Sequence, residues 1–500
     1  MAAHGEVPAL GARLLSTTAA VLPLRRTGSR RHVSGGLRLR LPTGLALVVL
    51  VLVLVLVAPG RGISDAAGAQ WSPPAALGAC PAVGPVRAVF PSSSPAHPTG
   101  PGAVVFSAVQ GCGGGAGARV ARIGADGLPG VPRIPRSAGG RRVAPTGDLA
   151  VSSAPHGRVV ITGKLPRTGA PTLIQGSASG PFAELTVPAG VGSATPPVLS
   201  GAYLGDVGLL SATGPASGGS GEQLHFDVER YFAQSFARET ALGAPAGTVR
   251  ALSLALDYRT DAIAVWTQGG AVLARDMPAS GAAQPTQRLG AAGAHVRIQA
   301  LLSDDNRAIV AWADDRAGVT SVYLDLSATG VRFGRPTLLE RFRDPDGLPS
   351  PAASPRLIRL SSESVMIAWG GAAQGRWVLR TAPIDLRGLR AVATIVDPGR
   401  DVLLADLTPG PLGDALALWT EPQPGADGLP DMTRQAIFAS RGFDAAPGRT
   451  IFGASEELAP PGPVLEPSVS IDPATDRGLA LWLGQGAAVD YSVRPPETVR

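Results

Sequence analysis

Five short apolar runs in this chain end on tryptophan, and their recurrence restricts the possible folds more than any other feature. They are AIAVW at 262–266, AIVAW at 308–312, VMIAW at 365–369, ALALW at 415–419 and GLALW at 478–482. The tryptophans lie 46, 57, 50 and 63 residues apart. Such a period holds four short strands with their loops and is too long for one helical pair of a solenoid repeat. A second alternating segment precedes each run, as in RALSLALDYRTD before Ala262 and VRIQALLSDDNR before Ala308. A third follows, as in AVLARDM at 271–277 and TSVYLDL at 320–326. Alternation at a two-residue period puts one side of each segment into a core. The repeating unit is therefore a β-meander. A single hairpin or small meander buries too little apolar surface to offset the conformational freedom it loses, so the units must pack on one another.

Three earlier stretches keep the shape without the tryptophan: PVRAVF with GAVVFSAV, DLAVSS with RVVITG, and PVLSGAYL with DVGLLSA. With them the count is eight units from about Gly84 onward, or seven if one is an embellishment. A fourth strand is expected in most units, as in FGRPTLLE from Phe333 and AAQPTQRLG from Ala282, but the last unit lacks one. The segment WSPPAALG at 71–78 follows the Phe333 pattern of an aromatic, a proline three residues on, then leucine. It is expected to pair with the last unit as its missing outer strand. The 65 glycines and 47 prolines, with no sustained helical period after the leader, suit short strands and many turns. The predicted fold is all-β: a β-propeller of eight four-stranded blades, seven being the alternative, in which the tryptophans fill the wedges between blades.

Residues 1–69 differ in kind. Arg25, Arg26, Arg30, Arg31, Arg38 and Arg40 precede the apolar core LALVVLVLVLVLVA at 45–58. That core is short for a membrane span of about 20 residues and right for an export signal. Ala67 and Ala69 offer a small-residue cleavage site, so cleavage is expected after Ala69; the long gap from the apolar core leaves an uncleaved anchor as the alternative. LGAC at 77–80 is like a lipobox but stands some way from the core, past Arg61 and Asp65. Either way, residues 70–500 are expected as one propeller domain, secreted or anchored to the outer face of the cytoplasmic membrane, with the N-terminal segment touching the membrane.

The net charge of +6 does not point to nucleic acid. Eight of the 44 basic and two of the 38 acidic residues lie before Gln70, leaving 36 of each sign beyond it and no global field to attract a polyanion. Arginine predominates so far that Lys164 is the only lysine, a bias that with the alanine and glycine load suggests a GC-rich bacterial genome. Cys80 and Cys112 are the only cysteines and, in an exported chain, are expected to form one structural disulfide. The histidines, His4, His32, His97, His156, His225 and His295, make no ligand-spaced set, so neither metal nor cofactor is predicted.

No nucleophile elbow, zinc-protease helix, phosphate loop or dinucleotide fingerprint occurs. The glycine-rich GCGGGAG at 111–117 and GPASGGSGE at 214–222 read as hairpin loops between strands. In WADDRAGVTSVYLDL, read as a hairpin whose turn holds Asp314, Asp315, Arg316 and Gly318, the residues Trp312, Asp314, Arg316, Gly318 and Tyr323 form W-x-D-x-R-x-G-x-x-x-x-Y. This resembles the repeat of secreted bacterial propellers of the sialidase-like and TolB-like kind, and the resemblance implies the fold and little more. Sialidases of that fold use three arginines, a tyrosine with a glutamate, and an aspartate, and no such set can be picked out here. Asp314 and Arg316 read as a turn-stabilising pair.

Two function classes follow. The first, preferred, is a noncatalytic extracellular or cell-envelope binding or scaffold protein, monomeric, whose partner is an envelope protein or glycan. The second is a glycan-active hydrolase or lyase with carboxylates converging at a mouth of the central channel. Glu229, Asp257, Asp304, Glu421 and Asp472 lie near expected loops, and none is assigned a catalytic role.

Overall fold

A computed structural model describes residues 70–496 except 79, 92–100, 110–113, 155–156, 166–170, 186–194, 203–204, 215–220, 231–235, 237–238, 243–246, 281, 304–305, 328–331, 346–352, 362–363, 386–387, 391, 397–398 and 447–448. The leader with its apolar core at 45–58, the Ala69 cleavage position, Cys112 and Asp304 lie outside the described residues. Within them there is no α-helix, and no helix is long and apolar enough to cross a membrane.

The strands form eight antiparallel sheets, each a blade whose strands run outward in chain order. Blade 1 holds Ala82–Val89, Ala103–Ala108 and Gly117–Arg122; blade 2 holds Thr146–Ala154, Arg158–Lys164, Pro171–Ser177 and Phe182–Leu185. Blade 3 holds Val198–Gly201, Val207–Thr213, Gln223–Glu229 and Glu239–Ala241, and blade 4 holds Leu252–Leu256, Ala262–Gln268, Ala271–Met277 and Gln287–Ala291. Blade 5 holds His295–Leu302, Ala308–Arg316, Val319–Leu326 and Thr337–Arg343. In blade 6 the first three strands are Arg356–Arg359, Val365–Ala373 and Arg376–Asp385, and the fourth position is split between Gly388–Leu389 and Ala393–Val396. Blade 7 repeats this, with Leu403–Pro409, Ala415–Pro424 and Pro430–Ala446 followed by Arg449–Phe452 and Glu456–Gly462. Blade 8 holds Leu465–Ile471, Gly478–Leu483 and Val489–Arg494.

Its fourth position is taken from the other end of the chain. Ala75–Ala76 pairs antiparallel with Val489–Arg494, Ala75 facing Tyr491 and Ala76 facing Asp490. Hydrogen bonds from Ser72 N–H to the Val493 carbonyl (2.8 Å) and from Leu77 N–H to the Val489 carbonyl (2.7 Å) continue the contact on both sides. The ladder is only two residues long because Pro73 and Pro74 have no N–H to give.

Eight apolar clusters occupy the eight boundaries between successive blades, the one between blades 8 and 1 included. The second strand of each blade is shared between two of them. In blade 5, Ala308, Val310 and Trp312 face blade 4, whereas Ile309, Ala311 and Ala313 face blade 6. A strand covered on both faces reads as a continuous apolar run, which is why these segments stand out in the sequence. Trp266, Trp312, Trp369, Trp419 and Trp482 all pack toward the preceding blade and are at most 3% exposed.

The outer positions are more variable. In blade 1 the fourth position is reduced to a short stretch where Arg133 and Val120 exchange backbone hydrogen bonds (2.9 and 3.0 Å) and Gly130 N–H reaches the Arg122 carbonyl. The turn in the blade 5 hairpin is also shorter than its charge pattern suggests. Asp314, Asp315 and Arg316 belong to the strand, and only Ala317 (φ 55°) and Gly318 (φ 72°) make the turn. Two consecutive residues at positive φ match the right-handed twist of the flanking strands.

Candidate functional site

The single full match to the tryptophan motif spans the middle strands of blade 5. Strand alternation puts Trp312, Asp314 and Arg316 on one side, and the two-residue turn brings Tyr323 directly opposite Trp312. Their rings stack with centroids 5.2 Å apart and planes 20° from parallel. Asp314 is buried. Its Oδ1 accepts from the Gly293 N–H at 2.6 Å and its Oδ2 from Arg316 Nε at 2.7 Å. The expected pair therefore exists, but it anchors the connection from blade 4 instead of a turn. The Arg316 side chain is 55% exposed, so the ion pair itself adds at most about 1 kcal/mol. Beside it a cleft of about 330 Å³ opens between the outer strand of blade 4 and blade 5, lined by Gly290, Trp312, Asp314, Arg316, Ser321, Tyr323, Pro336 and Arg341 among others.

The candidate carboxylates are dispersed over blades 3, 4, 7 and 8 and engaged locally. Asp257 accepts from the N–H groups of Arg259 (2.8 Å) and Asp261 (2.9 Å), closing the turn between the first two strands of blade 4. Asp472 does the same in blade 8, accepting from Ala474 N–H (3.0 Å) and the Thr475 hydroxyl (2.7 Å). Glu421 accepts from the Trp419 indole N–H at 3.1 Å and pairs with Arg400. Glu229 is wholly buried, with Arg158 of blade 2 at 3.6 Å and the Gln175 amide placed to donate to both its oxygens at 2.7 and 2.8 Å. Among the described residues no hydrogen bond joins any two of these four; Asp257 stands near Asp261 and Asp276, and Glu229 near Asp206.

Glu229 marks a seam that sequence reasoning missed. Among the described residues the apolar cluster between blades 2 and 3 comprises Val160, Leu173, Leu185, Val207 and Leu209, with Leu199 and Phe236 packed against it. Arg158, Gln175 and Glu229 add a buried polar contact across the same boundary. Burial pushes the Glu229 carboxyl up to about 7, against the opposing pull of Arg158 and Gln175. Next to it Asp206 accepts from Arg230 (2.8 Å) and from the Thr260 hydroxyl of blade 4 (2.6 Å), so blades 2, 3 and 4 are linked in series. The available signal was the alternation His225, Asp227, Glu229, which places polar groups on one face of a strand otherwise apolar in pattern.

A larger cavity of about 760 Å³ lies beside blade 1, where the outer strand is reduced; Phe106, Ile134 and Phe182 line it, with no carboxylate among the described residues. Its Arg119 and Arg133 donate to backbone carbonyls, including those of Gly115 and Ala178 at 2.6 Å each. Cys80 is half-buried against the cluster between blades 8 and 1. Among the described residues no group of three or more His, Cys, Asp or Glu is placed to hold a metal ion.

No protein-family model matches the chain, and no curated protein does. Among solved structures it is similar to a fucose-specific lectin from Aleuria aurantia, at 12% identity and a TM-score of 0.35, over 63% of this chain and 96% of the lectin. It is similar to the polysaccharide lyase Uly1 at 11% identity and a TM-score of 0.42, over 72% of this chain and 92% of the lyase. A third is the NanB sialidase from Streptococcus pneumoniae, at 7% identity and a TM-score of 0.33, over 82% of this chain and 93% of the sialidase.

Proposed function

We propose that residues 70–500 act outside the cytoplasmic membrane as a noncatalytic binding or scaffold propeller, exported by the leader at 1–69 and either released after Ala69 or held by the apolar core at 45–58. One observation carries the noncatalytic part: Glu229, Asp257, Glu421 and Asp472 are taken up by turn closure, an indole and a blade boundary, in four different blades. A rigid ring with a small cleft between two blades suits recognition of an envelope glycan or protein, and the neutral charge of the exported part argues against nucleic acid. A disulfide between Cys80 and Cys112 would clip the strand before blade 1 to the loop after its second strand. The test is a glycan array probed with the full chain, with reducing-end assays on whichever glycans bind. Binding without new reducing or unsaturated ends is expected; turnover that survives repurification would overturn the reading.

A further inference from the structure

The tryptophans that close the second-strand apolar runs of blades 4 to 7, Trp266, Trp312, Trp369 and Trp419, all pack toward the preceding blade, and three of the four have an acceptor for the indole N–H; Trp377, on the third strand of blade 6, is a fifth tryptophan outside this series and has no acceptor among the described residues. Trp266 Nε1 donates to Gln268 Oε1 at 3.3 Å and Trp419 Nε1 to Glu421 Oε1 at 3.1 Å, each acceptor lying two residues further along the same strand. In blade 6 that position is Gly371, and the acceptor comes instead from the outer strand of blade 5: Trp369 Nε1 donates to Glu340 Oε2 at 2.8 Å.

Blade 5 has neither arrangement. Two residues after Trp312 stands Asp314, one methylene shorter than Gln268 or Glu421, with both oxygens held by Gly293 and Arg316. The outer-strand position that matches Glu340 is Gly290, for Glu340 faces Val322 across a bulge as Gly290 faces Val272 across the same bulge in blade 4. A Cβ on Gly290 would stand 3.1 Å from Trp312 Cζ2, so the glycine backbone packs close against the indole edge and this position supplies no side-chain acceptor to the N–H. Trp312 is 1% exposed, and its Nε1 has no hydrogen-bond partner among the described residues. A buried N–H without an acceptor carries a desolvation penalty that a ligand oxygen would relieve.

We infer that the cleft between blades 4 and 5 binds the carboxylate or sulfate group of an acidic saccharide, with one oxygen accepting from Trp312 Nε1. The lining supports an oxyanion. Among the described lining residues Arg316 and Arg341 stand against one carboxylate, Asp314, so positive charge is in excess, and Arg341 is exposed on the strand Thr337–Arg343. Guanidinium groups match the planar geometry of such anions. Ser321 and Tyr323, both hydroxyl-bearing residues, also line the cleft and suit a polyhydroxylated ring. Its volume of about 330 Å³ lies at the small end of ligand pockets, which run from about 300 Å³, and so suits one ring-sized unit.

This inference rests on the binding reading above, and its test separates the two. The full chain is titrated with a uronic-acid disaccharide, a sulfated disaccharide, a neutral disaccharide of equal size and sodium sulfate, followed by calorimetry and tryptophan fluorescence. At least one acidic disaccharide is expected to bind ten-fold or more tightly than both the neutral one and sodium sulfate. Trp312→Phe, which keeps the ring and removes the N–H, and Arg341→Ala are each expected to weaken it ten-fold or more. Gly290→Glu, which sets a side chain against the indole edge and a carboxylate beside Asp314, is expected to abolish it. Arg341 is exposed, so its variant keeps the test valid if a Trp312 or Gly290 variant folds poorly. Equal affinity for the neutral disaccharide, equal affinity for sodium sulfate, or no binding by either acidic disaccharide overturns the inference. Acidic binding that none of the three variants changes also overturns it, while leaving the binding function standing at another place.

Discussion

Glu340 on the outer strand of blade 5 accepts a 2.8 Å hydrogen bond from the indole of Trp369 in blade 6, closing the gap between two blades with one carboxylate. The same Glu340 accepts from the Ala372 N–H at 3.3 Å. Glu340→Ala leaves the fully buried indole N–H unpaired and is expected to destabilise the protein by about 1–3 kcal/mol. Thermal unfolding checks this, with Glu340→Gln, which keeps an acceptor oxygen, expected to recover most of the loss.

Glu229 predicts how stability depends on pH. Its usual value is 4.5, and burial raises it to about 7 in the folded protein. Between those values the unfolded chain has lost a proton that the folded chain keeps, so stability falls as pH rises through that window and is lowest above it. Asp276 and Asp325, raised by burial from 3.8 to about 6, act with the same sign from about pH 4 to 6. Glu229→Gln is expected to recover on the order of 2–3 kcal/mol at pH 8 relative to its effect at pH 4. Urea unfolding at the two pH values measures it, and an equal effect at both would contradict the prediction.

Arg441 joins blades 7 and 8. It pairs with Asp414 of its own blade and donates to both oxygens of Asp476 at 2.9 Å, and both Arg441 and Asp414 are nearly inaccessible. Arg441→Met leaves a buried carboxylate uncompensated and is expected to cost about 3–5 kcal/mol. Arg441→Met with Asp414→Asn is expected to cost less than the single change, because the stranded charge is gone. A double-mutant cycle in thermal unfolding gives the answer.

The short ladder between Ala75–Ala76 and Val489–Arg494 predicts the effect of losing residues 70–78. Their removal bares the edge of the last sheet and takes Leu77 from the cluster between blades 8 and 1. A lower unfolding midpoint and self-association at high concentration are expected, since an unpaired edge is a template for another strand. Sedimentation velocity of the shortened chain against the full one tests both.

The blade plan was legible because the signal for a doubly covered strand is local. Runs such as 308–312 need nothing beyond their own residues to be read, and the alternating sides of Ile309 and Val310 follow from a period of two. The outer positions were less legible because only one of their faces packs. Thr337–Arg343 is half exposed along its length, and the split fourth positions of blades 6 and 7 have no pattern to betray them. Charged residues at 314–316 read as a turn, yet the strand continues through them because the positive φ values fall on Ala317 and Gly318. The cleft was partly visible in the residues two places after each tryptophan, Gln268, Asp314, Gly371, Glu421 and Gly484. What the sequence withholds is that Gly290 stands beside Trp312, since that depends on a bulge in the pairing of two strands and the packing of the next blade.

The pairing of Ser72 with Ser492 and Val493 joins partners more than four hundred residues apart in the chain. In order of synthesis the first of these contacts is made last. Until Val489–Arg494 is in place, Ser72 and the strand Ala75–Ala76 lack the partners they have in the folded ring, so the last sheet gains its outer strand only when the final strand of blade 8 is available.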